Sequence, residues 1–343
     1  LHWVKEYHVD GFRFDLMGIH DIETMNQISK AVHAIDPSIF LYGEGWTAGA
    51  SPLPDDQKAI KANVLKLDKI AAFSDDLRDA IRGHVFTHKE KGFVSGKAGL
   101  KESVKFGVVA STWHPEVDYS KVNYSKAAWA NGPDQTISYA SCHDNHTLWD
   151  RLAINNPMLL DEERIKMYRL AVTMVLTAQG VPFLHAGTEM VVTKKGEENS
   201  YNKPDEINQL DWTRKYQYKE MFDYVKGLIA LRKAHPAFRM TSAAMIREHL
   251  KFIPSTEENL TGFILSNHAN GDPWHTIAVI YNGSDQVHPV ILPRAEWKVV
   301  GNGELIDVKN PPVIRNSGVL VPGNSALILY TTNAPGQSNA AEK

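Results

Sequence analysis

Two short apolar runs, at 9–15 and 39–44, each end on a carboxylate and bracket one amphipathic segment, a pattern that reads as one β/α unit of a parallel barrel. Between them Ile22, Met25, Ile28, Val32 and Ile35 recur at helical spacing, with Asp21 placed to cap the helix and Asp36-Pro37 to stop it. In such a barrel the C-terminal ends of the strands share one face. Asp15 and Glu44, twenty-nine residues apart, are therefore catalytic candidates from geometry alone. Two neighbouring acids point to glycoside chemistry.

Strand alternation puts Arg13 and Asp15 on one face and sends Phe12 and Phe14 to the other. A guanidinium beside Asp15 keeps that acid ionised, which suits a nucleophile. The same parity groups Tyr42, Glu44 and Trp46, although the chain bends near Gly43 and Gly45. Partial burial against an indole raises a carboxyl pKa, which suits Glu44 as a proton donor. A third strand end follows at 136–142, running into His143-Asp144-Asn145-His146. Taken singly, an acid after a strand is as readily the N-cap of the next helix, and His143 alone is a structural residue. Three such ends in order along one barrel point to a site.

The remaining chain continues the pattern. Helices are expected at 161–178 and 216–233, a strand after Gly180-Val181-Pro182, and a polar, site-facing loop at 199–212. The stretch 83–134 is long for a barrel connection and marks a lid or subsite loop. Its Trp113, Tyr119, Tyr124 and Trp129 serve either as sugar platforms or, with slightly more weight, as the small core such a loop needs. Beyond about 240 the period changes to two, with runs at 260–266, 276–281, 289–292, 297–300 and 326–331 separated by Asn-Gly-type turns. This reads as a β-sandwich, followed by a tail at 333–343 with little to bury.

Composition excludes several alternatives. The 343 residues are 43% hydrophobic, enough for a sizeable core and about two domains. A net charge of −3 with 37 dispersed basic residues gives no basis for nucleic acid or an anionic membrane as partner. No run is long and apolar enough to span a bilayer. Cys142 is the only cysteine, so no intrachain disulfide forms, and its strand position assigns it to the core rather than to thiol catalysis. No local metal-binding motif occurs among the histidines, cysteine and acids, so no cofactor is required and no metal ligand is assigned.

The strings Asp10-Gly-Phe-Arg-Phe-Asp-Leu-Met-Gly18, Tyr42-Gly-Glu-Gly-Trp46 and His143-Asp-Asn-His-Thr-Leu-Trp-Asp150 resemble three sequence regions of the α-amylase-type glycoside hydrolases, and within them the type I pullulanases, which hydrolyse α-1,6 branch linkages. The resemblance continues through 73–82, 182–189 and 199–212 and covers nearly the whole chain. It implies Asp15 as nucleophile, Glu44 as general acid/base and Asp144 as the carboxylate that stabilises the transition state. It further implies that Arg13 and His143 hold the nucleophile and the reacting sugar, that Trp46 stacks on the glucose beyond the scissile bond, and that Asn145 and Tyr201 line the pocket. The family's Asp-Val-Val-Tyr-Asn-His region is absent.

Counted in the family order, the strands are the fourth to the eighth. The expected fold class is α/β: at 1–238, the C-terminal five strands of a (β/α)8 TIM barrel, then at 239–343 an antiparallel β-sandwich domain. A closed barrel needs about 250 residues, so upstream chain is expected, the sequence being a fragment, a processed chain or the partner of a separate N-terminal segment that completes the barrel; the resemblance implies an α-glucan substrate as the other partner. Related barrels also use structural calcium through dispersed ligands, which leaves that ion open. The chain starts at Leu1-His2-Trp3-Val4 inside an apparent helix, so localisation stays open. The expected reaction is retaining hydrolysis of α-1,6 branches by two carboxyls about 5–5.5 Å apart. Isoamylase-like or α-1,4 hydrolysis is the neighbouring alternative, and a non-catalytic glucan-binding or subunit protein is the alternative from another class.

Overall fold

The computed structural model describes residues 1–49 and 51–336, so the tail expected to fray lies outside the described residues from 337 onward. Strands β1 (Gly11–Phe14), β2 (Phe40–Gly43), β3 (Ile70–Phe73), β4 (Thr136–Ser138) and β5 (Val181–Pro182) pair in chain order, all parallel. This is the sequential arc of strands that a β/α barrel uses. The strands are shorter than the apolar runs, and β5 is cut at Pro182, which has no N–H to donate.

A short helix, α1 (His2–Tyr7), precedes the sheet. The expected amphipathic helix is α2 (Ile22–His33), and the Asp21 side chain caps it by accepting from the Thr24 N–H at 2.7 Å. The two faces of the sheet separate as alternation requires. Leu41, Ile70 and Ala72 join the core under the helices. Phe40, Tyr42, Phe73, Ile137 and Tyr139 form a second apolar cluster on the opposite, inner face.

After β3 comes α3 (Asp75–Arg82), buried from Asp76 onward. The stretch whose length marks a lid is mostly scaffold. It contains α4 (Lys101–Val108), and Phe93, Val104, Phe106, Val109, Val122 and Trp129 are buried in the main core. Trp129 and Ser125 both donate to the fully buried Asp76, and the Tyr124 hydroxyl donates to Asp79 at 2.7 Å. Tyr124 and Trp129 thus hold the insertion to α3, Tyr119 packs within the insertion against Phe106 and donates to the Thr112 carbonyl, and Trp113 is exposed beneath the Arg247 guanidinium.

α5 (Leu148–Asn155) follows β4, and α6 (Asp161–Thr177) matches the helix read from spacing. Past β5 come α7 (Asp205–Asn208), α8 (Arg214–Gln217) and α9 (Lys219–Ala234). The last two divide the single helix expected at 216–233, because Tyr218 leaves helical geometry at φ −110, ψ 39. Arg232 on α9 donates to the carbonyls of Leu176, Ala178 and Gly180, which closes the end of α6. The expected boundary at 238 falls in a 3-10 turn, Pro236–Arg239, ahead of α10 (Ala243–His249).

The C-terminal strands are β6 (Leu250–Phe252), β7 (Leu260–Leu265), β8 (Thr276–Asn282), β9 (His288–Ile291), β10 (Trp297–Gly301), β11 (Val313–Ile314), β12 (Gly318–Val321) and β13 (Ser325–Thr331). Six form an antiparallel sheet in the order β11-β10-β13-β8-β7-β6, and β12 pairs with β9 as a ribbon. Between them lies a core of Ala278, Ile280, Val290, Trp297, Val319, Leu327 and Leu329. β8 and β13 are buried at every position because the second face of the sheet packs into the barrel core through Ile277, Val279, Tyr281, Ile328 and Tyr330. Trp297 is fully buried, and its indole N–H donates to the Pro293 carbonyl at 2.9 Å. Trp297→Ala is expected to cost about 3–5 kcal/mol, read by chemical denaturation of the β domain; a loss below about 1 kcal/mol would remove Trp297 from the centre of this core.

Candidate active site

β1 and β2 run parallel with Arg13 opposite Tyr42, so the inward positions that follow, Asp15 and Glu44, reach the same end of the sheet. The Arg13 guanidinium joins them. It donates to Asp15 Oδ1 at 2.7 Å and to Glu44 Oε1 at 2.6 Å. The other Glu44 oxygen, Oε2, accepts from the Leu16 N–H at 2.8 Å. Leu16 holds φ 44, a left-handed conformation that costs a non-glycine residue energy, and this strain is stored in the turn that aims its N–H at Glu44. Gly43 permits the approach: a Cβ there would come within 2.8 Å of both Met17 Cβ and the Phe14 carbonyl.

The two acids occupy different surroundings. Glu44 is buried, with 6% of its side chain exposed, whereas the Asp15 side chain is 76% exposed. Burial raises the Glu44 pKa, the Leu16 N–H and the Arg13 charge pull it back, and the charges of Asp15 and Asp144 raise it further. Asp144 is thus near enough to act on Glu44, although it arrives from a strand end a hundred residues later in the chain. His143 Nε2 stands 3.4 Å from Asp144 Oδ1, and Asn145 turns the chain at φ 61.

These groups open on a cleft of about 780 Å³ whose wall includes Arg13, Glu44, Trp46, His143, Asp144 and Asn145. The inner face of the sheet supplies an aromatic floor. Phe73 lies 5.6 Å from Tyr42, 4.9 Å from Tyr139, 5.4 Å from Phe183 and 6.5 Å from Trp46, measured between ring centres. Such a floor suits sugar rings, whose apolar faces stack on aromatic side chains. Of the residues named from sequence, Asp15 and Tyr201 are not in the cleft wall; Asp15 is tied to it through the Arg13 guanidinium, and Tyr201 stands apart. Its side chain is 81% exposed, and the same loop reaches the cleft with Glu198 and Asn199.

Cys142 also differs from its expected place. It lies past the end of β4, half-buried in the cleft wall, and its thiol donates to the Asp144 carbonyl at 3.6 Å. Burial pushes the thiol pKa up, which disfavours the thiolate.

Several groups behind the wall were not anticipated. Arg78 donates to Asp79 at 2.6 Å and to the Tyr139 hydroxyl at 2.8 Å. Lys61 holds both Asp75, a cleft residue, and Asp76. Arg82 donates to the His146 carbonyl at 2.9 Å. Val85 and Phe86 enter the wall from a tip that Arg151 secures through the carbonyls of His84, Thr87 and Glu90. The charges on α3 were a visible signal, since Asp75–Arg82 carries three acids and two arginines in eight residues, and its short stripe of Leu77, Ala80 and Ile81 accounts for only one face. Phe86 carries no such signal. Among the described residues no three or more His, Cys, Asp or Glu side chains gather as metal ligands, and no helix is long and apolar enough to cross a membrane.

The profile of the pullulanase all-beta domain matches residues 246–305. A pullulanase of Bacillus subtilis (strain 168) is 42% identical over 300 residues, which are 87% of this chain and 39% of that protein. Among solved structures, the pullulanase of Paenibacillus barengoltzii in complex with maltohexaose and α-cyclodextrin is 42% identical and superposes with a TM-score of 0.87 over 97% of this chain and 49% of its own. The type I pullulanase of Bacillus subtilis str. 168 complexed with maltose gives 39% identity and a TM-score of 0.89 over 97% of this chain and 45% of its own. The chain therefore spans about half the length of these relatives. With sheet order, β domain and strand-end acids all in one frame, the chain belongs to the type I pullulanase family of debranching glycoside hydrolases.

Proposed function

We propose that the full-length protein carrying this chain hydrolyses α-1,6-glucosidic branch linkages in pullulan, amylopectin and related α-glucans, with retention at the anomeric carbon. The observation that carries this reading is the Arg13 bridge between an exposed and a buried carboxylate, with Asp144 acting on the buried one. The relatives crystallised with maltohexaose, α-cyclodextrin and maltose support the substrate class.

Glu44, kept protonated to higher pH by burial, donates its proton to the leaving glycosidic oxygen. Asp15 attacks the anomeric carbon and forms a glycosyl-enzyme ester. Glu44, now a carboxylate, takes a proton from the water that hydrolyses the ester. Asp144 faces the positive charge that develops on the sugar ring, and His143 and Asn145 hold that ring's hydroxyls. Arg13 keeps Asp15 aligned, and Trp46 stacks on the glucose beyond the cut. No step takes a cofactor or a metal. The catalytic unit is a closed barrel, with upstream strands of the full-length protein set against β1 and β5, each of which has one strand neighbour in the sheet described.

In the full-length protein, Asp15→Asn and Glu44→Gln are each expected to lower kcat on pullulan by at least about 100-fold. Near-normal turnover in either variant removes the assignment. Product analysis decides the linkage: maltotriose from pullulan with amylose left largely intact is the expected result, and the reverse indicates α-1,4 hydrolysis. Glucan binding without release of any product indicates a binding protein instead.

The pH profile tests the acid. Burial disfavours the charged form of Glu44, so its proton is retained above the ordinary glutamic acid range, and the alkaline limb of kcat/KM lies there. Arg13 favours the carboxylate, so Arg13→Gln is expected to move that limb to still higher pH while lowering the rate. A shift to lower pH would show that another group sets the limb.

A further inference from the structure

Lys194 lies 12 residues beyond the end of β5, is 8% exposed, and makes no contact that the proposed chemistry uses. Its ammonium donates to the His143 carbonyl at 2.9 Å and to the Ser200 hydroxyl. Among the described residues it forms no ion pair, which is unusual for a buried cation. The backbone around it is pinned as well. The Lys194 N–H donates to Asp150 Oδ2 at 2.7 Å, and the Thr193 hydroxyl donates to the other oxygen of the same carboxylate. Asp150 in turn accepts from the Thr147 hydroxyl at 2.9 Å, in the first turn of α5. The lysine stem is thus fixed at its root by the helix that follows the 143–146 segment, and its tip reaches back to the carbonyl next to Asp144.

We propose that Lys194 is a positioning residue: its buried ammonium ties the 143–145 turn to the 199–201 stretch and thereby sets where the Asp144 carboxylate stands in the cleft. The inference rests on the reading of Asp144 as the carboxylate that stabilises the transition state. Two features of the turn call for such a tether. Asn145 is held at φ 61, a conformation that L residues adopt at a cost, and the side chains of His143 and Asp144 are 60% and 55% exposed, so neither is held by packing. The carbonyl gripped by Lys194 belongs to the residue between Cys142 and Asp144.

The charged neighbours of the ammonium agree with this placement. Burial lowers the Lys194 pKa, while Asp144, Cys142 and Asp150 raise it. The half-buried His185 imidazole is pushed down to about 4, by desolvation first and then by Lys194 and His143, so that it remains neutral beside the lysine. Asp144 is thus one of the anions whose charge acts on the Lys194 ammonium, which grips the carbonyl of the residue before Asp144. Through Ser200 the same ammonium holds the stretch that brings Asn199 to the cleft, and Asn208 holds the Ser200 carbonyl at 2.7 Å.

The test uses the full-length protein and pullulan. Lys194→Met keeps the length of the side chain and removes its charge and donors. A carboxylate displaced by about 1 Å is expected to lower kcat about 100-fold while KM changes by less than about two-fold and the thermal midpoint is unaltered. Ser200→Ala, which leaves the bond to His143 intact, is expected to give a smaller fall in kcat with the same KM. A Lys194→Met protein with normal kcat overturns the proposal. So does one in which kcat and KM deteriorate together with the thermal midpoint, which indicates a role in stability alone. If Lys194→Met does not fold, the Ser200→Ala split decides in the same way. Crystal structures of the variants separate this inference from the proposed function: if the wild-type protein hydrolyses no glucan, the reaction is misassigned, and a 143–145 turn that stays in place in Lys194→Met overturns the positioning role independently.

Discussion

The fork of Arg13 is the contact on which the site depends. Two carboxylates at adjacent strand ends repel each other unless a cation stands between them, and a guanidinium can present separate N–H groups to both in a fixed plane. The register of β1 and β2 puts Arg13 one inward position below Asp15 and beside the strand that carries Glu44, so the bridge follows from strand pairing. One cation thus serves two acids whose surroundings differ. Solvent reaches Asp15, while Glu44 is enclosed and receives the N–H of the strained Leu16. The burial of Glu44, which raises its pKa, is what sets the two side chains apart.

Behind the cleft, long cationic side chains perform a second task. Loops at strand ends leave backbone carbonyls without ladder partners, and buried carbonyls need donors. Arg82 supplies one to His146, Arg151 to His84, Thr87 and Glu90, and Lys194 to His143. Asp76 does the converse for donors, collecting Lys61, Ser125 and Trp129 at the root of the long insertion. The cleft walls are therefore held by polar contacts that originate in the helices and connections, while the apolar inner face of the sheet forms the floor.

The apolar layers were the more legible part of the chain. Helical spacing located α2 and α6 to within a few residues, and Asp21 caps α2 as its position indicates. Alternation correctly separated Arg13 and Asp15 from Phe12 and Phe14. It served less well in the β domain, because β8 and β13 are covered on both faces and a doubly covered strand does not alternate. The long insertion was legible in length, and the core role given slightly more weight for its aromatic residues holds for Trp129; the partners were not legible, because Asp76 and Asp79 lie some fifty residues away in the chain. Cys142 reads as core because it ends an apolar run, yet β4 stops at Ser138 and the chain then rises into the cleft wall.

The order of strands and helices, the inward parity of Arg13, Asp15, Tyr42 and Glu44, and the identity of three strand-end acids were determined by the sequence itself, because periodicity and capping act over distances shorter than one β/α unit. Tertiary structure alone decided that Arg13 would grip both acids, that Glu44 would be buried and Asp15 exposed, that Tyr201 would stand in solvent, and that Lys194 would close on the His143 carbonyl. These contacts join residues from different units. Their geometry depends on strand register, turn strain and burial, none of which a local pattern encodes.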